Sequence, residues 1–126
     1  MNVSIVLLNW NAADDTIACL QPVLSWQQVR PLLIVVDNAS APADVARLRA
    51  ALATAHLIEN SQNEGFSGGT NRGMAYALAQ GDDPILLLNN DATIGETALG
   101  SHLEAARAGG HELPLVAVAT DDPRED

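Results

Sequence analysis

An α/β domain with a mainly parallel sheet and helices on both faces is the fold that these 126 residues predict, and three observations predict it. Five short apolar runs bounded by polar or turn residues read as strands buried on both faces. Alanine-rich stretches of helical length lie between them, in strict alternation with the strands, which is the order that builds a parallel sheet. Hydrophobic content of 48% with only 3% aromatics means a core of Ala, Val, Leu and Ile, small enough for helices to lie close on a sheet.

The first strand is read over 3–8 (VSIVLL), followed by a helix over about 13–26, a strand over 32–36 (LLIVV) and a helix over about 42–53. A strand over 56–59 (HLIE), a helix over about 69–80, a strand over 85–88 (ILLL), a helix over 96–108 and a strand over 115–119 (LVAVA) complete the order. Asn11, Ser40 and Ser67 can each accept from the free amides of the turn that follows, so they are read as N-caps. Gly81 and Gly109 stand where a left-handed residue closes the third and fourth helices. In the third helix Met74, Ala77 and Leu78 share one face, with Arg72 and Gln80 elsewhere. The expected sheet has its first strand central and its fourth beside it, so that Asn9 and Asp91 face each other across the point where the winding reverses.

At this length the chain is read as one domain, 1–126, with no internal repeat and no long linker. A net charge of −10 comes from 16 acidic residues against six basic ones, all Arg, which disfavours a nucleic-acid backbone binder. The acidic end, with Asp121, Asp122, Glu125 and Asp126, is read as a solvated terminus. Cys19 is the single cysteine, so no internal disulfide forms; burial in the first helix is its expected role. His56, His102 and His111 are dispersed and lack partners at zinc-ligand spacing. No apolar run approaches the ~20 residues of a membrane span, and the first strand leaves no room for a signal peptide. A cytoplasmic location is the expectation, with membrane association through further parts left open.

In an open parallel sheet the ligand lies beyond the carboxyl ends of the strands, so the polar residues after each strand carry the functional reading. Asp37, directly after LLIVV, offers a fixed acceptor for a base imide or a ribose hydroxyl; it is equally a turn residue, helped by Asn38 and Ser40. The stretch 63–73 (NEGFSGGTNRG) either opens a helix onto an anion, with Arg72 adding a bidentate contact, or uses its glycines for close packing. Its spacing is not that of a dinucleotide-binding fingerprint. Asp91 ends LLLNND, where its carboxylate either ligates a hard cation bridging two phosphates or serves as turn chemistry capping the next helix. Trp10 either lines a base pocket or packs on the sheet edge.

VSIVLLNWNA, VVDNAS, NEGFSGGTNRGM and LLLNNDA, in this order and about one βα unit apart, together resemble the donor-binding half of family 2 glycosyltransferases, most nearly the rhamnosyltransferase-like members. The resemblance covers residues 2–91, and more weakly the chain to about 119. It implies a Rossmann-like GT-A nucleotide-diphospho-sugar transferase fold, truncated, and inverting sugar transfer to a glycan or lipid-linked acceptor in cell-wall or polysaccharide biosynthesis. It further implies that Asn9, Asn11 and Asp37 border the nucleoside and that Asn71 and Arg72 belong to the donor-side loop and helix. Asn89, Asn90 and Asp91 take the D-x-D position, with Asp91 holding Mg²⁺ or Mn²⁺ on the diphosphate of a UDP, dTDP or GDP sugar. Asn89 stands where the family has its first acid. The catalytic base and the acceptor-binding half are expected beyond Asp126, so the chain alone is expected to bind a sugar nucleotide without transferring the sugar.

Two rival classes fit less well. A receiver domain needs an acidic pair after its first strand and a Lys after its last, whereas this chain has Asn9-Trp10-Asn11 and no Lys. A sugar nucleotidyltransferase needs a basic, glycine-rich loop after the first strand, and residues 9–13 supply none. A non-catalytic nucleotide-binding remnant is the remaining alternative.

Overall fold

The structure, a computed structural model, describes residues 3–81, 84–92, 95–108 and 116–119. Strands and helices alternate along them: β1 (Ser4–Asn9), α1 (Ala13–Leu24), β2 (Leu32–Asp37), α2 (Pro42–Ala51), β3 (His56–Glu59), α3 (Gly65–Ala79), β4 (Ile85–Leu88), α4 (Glu96–Ala108) and β5 (Val116–Ala119). The strands form one sheet in the order β3-β2-β1-β4-β5. Every neighbouring pair is parallel, so β1 is central with β4 beside it, as the sequence predicts. Gly109, His111 and the acidic end at 121–126 lie outside the described residues.

Successive residues of a strand point to opposite faces, and here both faces are apolar. Ile5, Leu7, Leu33, Val35 and Leu88 pack in one cluster with Leu20 and Val23 of α1, Leu48 of α2 and Leu99 of α4. Val6, Ile34, Val36 and Ile85 pack on the other with Ala77 of α3. Each fully buried aliphatic side chain contributes about 1.5–3 kcal/mol by leaving water. Within the first helical layer Arg47 of α2 pairs with Asp14 of α1, and on the other face His56 stacks on Tyr76 at 3.8 Å, holding α3 to the edge strand β3. Glu96 accepts from the Val29 and Gln28 amides at 2.7 and 2.5 Å. Those bonds, Val29's foremost, hold its carboxyl below the usual range.

The glycine-rich stretch is helix from Gly65 onward, four residues earlier than expected. Its glycines serve close packing. A Cβ on Gly69 would stand 2.5 Å from Leu8 Cδ1, and one on Gly73 would run into Val6 and Val36, so α3 rests directly on β1 and β2. The buried face is Gly69, Thr70, Gly73 and Ala77, which rotates the expected face and leaves Leu78 exposed. Ser67 therefore lies inside the helix and caps nothing, whereas Gly81 does take the left-handed conformation, φ +79°, that ends it. Among the described residues no helix is long and apolar enough to cross a membrane.

Candidate functional site

Parallel register brings the exits of β1, β2 and β3 to one rim: Asn9 pairs with Asp37 and Asp37 with Glu59. Asn9 is fully buried. Thr16 donates its hydroxyl to Asn9 Oδ1 at 2.7 Å, which turns Nδ2 towards three acceptors. These are Asp37 Oδ1 at 2.9 Å, Asp44 Oδ2 at 3.0 Å and Ser40 Oγ at 3.4 Å. Asp37, 1% exposed, also accepts the Ser40 hydroxyl at 2.6 Å and the Ser40 amide at 3.0 Å. A carboxylate removed from water in this way needs fixed donors, and Asn9 and Ser40 supply them.

This corrects one expectation: the Asn9 amide is spent on the β2 side of the rim rather than facing Asp91. Asn11 and Ser40 likewise do not cap the helices that follow them. Asn11, at φ 48°, accepts the Ala41 amide at 2.8 Å and donates its own amide to Ser40 Oγ at 2.7 Å. Asp44 of α2 in turn accepts the Ala13 amide that opens α1, at 3.0 Å. The two helix starts are capped crosswise, which locks α1 to α2 beneath the rim.

A second chain of amides anchors α3. Asn38 donates Nδ2 to Gly65 O at 3.0 Å, while its Oδ1 accepts Asn60 Nδ2 at 2.9 Å and the Glu64 amide at 3.3 Å. The Gly65 amide is taken by Asn63 Oδ1 at 2.8 Å. Asn71 and Arg72 sit on the exposed side of α3, and Arg72 Nε pairs with Glu64 Oε2 at 2.9 Å.

The β4 exit is built differently. Asn89 and Asn90 are half-buried and line a crevice of about 160 Å³ with Leu8 of β1 and Phe66 and Thr70 of α3. It lies between β1 and β4, where the winding reverses. Asp91 is exposed on a turn closed by the Ala92 amide donating to Asn89 O at 3.0 Å. Cys19 donates its thiol to Ala92 O at 3.1 Å and reaches Asn89 O at 3.7 Å. Burial, and then the Asp91 charge, push this thiol up to about 11, so it stays a neutral donor at pH 7. Trp10 at the β1 exit is 56% exposed.

Among the described residues no group of three or more His, Cys, Asp or Glu side chains gathers as a metal cage. What the β4 exit offers is one exposed carboxylate. That donor set fits a hard cation which takes most of its ligands from a diphosphate and water. A larger cavity, about 430 Å³ between Trp26, Arg30, Pro31 and Thr54, lies at the amino edge of the sheet, away from the strand exits.

Asn38 and Asn60 stand directly after strands, positions that sequence reasoning marks for inspection without assigning them a role, and Asp44 carries the signal of an acid in the first turn of a helix. Thr16 and Cys19 were not singled out as site residues; they act through contacts 7 and up to 73 residues apart along the chain.

A parallel sheet with carboxylates at the exits of β2 and β4, on either side of a central β1, presents its polar rim where open α/β domains take their ligands. The mannosyltransferase PcManGT from Pyrobaculum calidifontis, solved in complex with GDP-Man and Mn²⁺, shares this fold with a TM-score of 0.61 at 18% identity, covering 72% of this chain and 28% of that one. The family model of glycosyl transferase family 2 matches residues 4–125, and the chain belongs to that family. A relative, the succinoglycan biosynthesis protein ExoO of Rhizobium meliloti (strain 1021), is 30% identical over 116 residues. The match takes in 90% of this chain and 32% of ExoO, so the chain spans about a third of its relative's length.

Proposed function

We propose that this chain is the donor-binding domain of an inverting glycosyltransferase, taking a nucleoside-diphosphate sugar with Mg²⁺ or Mn²⁺ held at Asp91. Family membership supports the class, and the observation that carries the site is the placement of Asp37 and Asp91 on one rim, either side of β1. Asp37, oriented by Asn9 and Ser40, accepts from the nucleoside, with Asn11 and Trp10 bordering it. Arg72 can leave Glu64 to meet the departing diphosphate, because a pair exposed on its Arg side costs little to part. A bound divalent cation would neutralise charge on that leaving group. An acidic chain without Lys needs such a cation before a diphosphate can approach.

The sugar is a hexosyl or rhamnosyl unit, and its recipient a glycan or lipid-linked acceptor in polysaccharide synthesis on the cytoplasmic side. The acceptor and the carboxylate that removes its proton belong to portions outside these residues, consistent with a chain spanning 32% of ExoO. Residues 1–126 alone therefore bind the donor without transferring it. Thermal denaturation with UDP, dTDP and GDP, each with and without Mn²⁺, tests the reading. One nucleotide at 100 times its Kd should stabilise the chain by about 2.7 kcal/mol with metal present and much less without it. No stabilisation by any of the three, or equal stabilisation without metal, would contradict it.

A further inference from the structure

The two carboxylates of the rim are held by different means. Asp37 is gripped at its oxygens, by Asn9 and Ser40. Asp91 is not: among the described residues no donor bonds its carboxylate, so the backbone of the turn that carries it decides where that carboxylate stands.

The turn leaves β4 at Leu88 and returns to the core at Ala92, which is 1% exposed. Its incoming limb is fixed by the sheet, where Leu88 pairs with Leu7 of β1. Its outgoing limb has no such support, because Ala92 lies outside both β4 and α4. Two contacts with the α1 side hold it instead. The Ala92 side chain packs in the cluster that contains Cys19 and Leu20, and the Ala92 carbonyl accepts the Cys19 thiol at 3.1 Å. The same sulfur stands 3.7 Å from Asn89 O, the carbonyl that closes the turn by accepting the Ala92 amide at 3.0 Å. One buried side chain of α1 thus meets both ends of the turn, across 70 and 73 residues of chain.

We propose that Cys19 is a positioning residue for the metal: its thiol holds the Asn89–Ala92 turn so that the Asp91 carboxylate meets a divalent cation on the donor diphosphate. This rests on the donor-site reading above and adds to it a residue of α1 that touches neither metal nor nucleotide. Where diphosphate and water supply most of the cation's ligands, the one protein oxygen has to stand in the place they leave open. A group that orients such a ligand from behind therefore acts on metal affinity without coordinating.

Titration calorimetry with UDP, dTDP and GDP, each with and without Mn²⁺, gives for every protein the ratio of the two affinities. A general loss of fold lowers the fraction of binding-competent chains or both affinities together, and leaves the ratio where it was. Cys19→Ala removes the donor and leaves space, Cys19→Val removes the donor and fills the space, and Cys19→Ser keeps a donor in a smaller side chain. The Ala and Val variants should each lower the ratio about three- to tenfold, the worth of one hydrogen bond, with the affinity lacking metal unchanged. The Ser variant should stay within about twofold of the parent. A parent-like ratio in the Ala or Val variant, a ratio in the Ser variant as low as in the Ala variant, or equal weakening with and without metal would overturn the assignment and leave the donor site standing. No gain from Mn²⁺ in the parent, or an undiminished gain in Asp91→Asn, would overturn the donor-site reading and this inference with it.

Discussion

The exits of β2 and β4 lie on the same rim and each ends in a carboxylate, yet they are built in opposite ways. Asp37 is sealed and held by Asn9 and Ser40, which are themselves tied to Thr16, Asn11 and Asp44. Asp91 is exposed on a short turn that the Ala92 amide closes and the Cys19 thiol fastens. The difference teaches how a donor site can divide its work. A group that selects by direction needs a rigid setting, because rigidity is what makes a wrong edge costly. A group that holds a cation shared with a diphosphate and water needs reach and exposure instead.

The sharpest way to break the comparison is to empty the rigid side. Asn9→Leu would leave two carboxylates and the Thr16 hydroxyl without their shared partner in a buried setting, and should cost about 3 kcal/mol in urea denaturation. A loss below 1 kcal/mol would mean that the network is replaceable by water. Gly73→Ala should come next, at about 2 kcal/mol, because the new methyl meets Val6 and Val36 on strands that cannot yield. Gly100→Ala on α4, where a Cβ meets nothing within 4 Å, should instead stabilise by about 0.5–1 kcal/mol through helix propensity.

The same residues mark what the sequence revealed and what it hid. All nine elements and the central place of β1 followed from apolar runs and their alternation, which are local properties. The start of α3 did not, because glycines that read as turn residues were set by how near the helix must lie to Leu8 and Val6. Nor did the partners of Asn9, since the polar residues after a strand announce a rim but not which of them will be consumed in holding it. Arg72 was legible as lying off the apolar face of its helix, while the link from Asn38 to Asn60 spans 22 residues and leaves no local trace.

The exposed side is sharpened through Cys19. Its folded value of about 11 stands above the ordinary 9.0, so above pH 9 the unfolded thiol gives up its proton while the folded one keeps it. The unfolded state then binds fewer protons and stability falls as pH rises. This contribution is intact below pH 9 and lost by about pH 11. Cys19→Ala should flatten that part of the stability profile, read by denaturation between pH 8 and pH 11. An unchanged slope would remove the thiol from the account.

The smallest expected effect on stability belongs to Asp91, and the most direct measurement uses it. Asp91→Asn, exposed and outside every strand and helix, should leave the unfolding free energy in urea within about 0.5 kcal/mol of the parent. Nucleoside diphosphate binding should be followed by calorimetry for both proteins, with and without Mn²⁺. The parent should bind more tightly when metal is added, and the variant should gain nothing from it. An equal gain from metal in both proteins would contradict the assignment of the cation to Asp91.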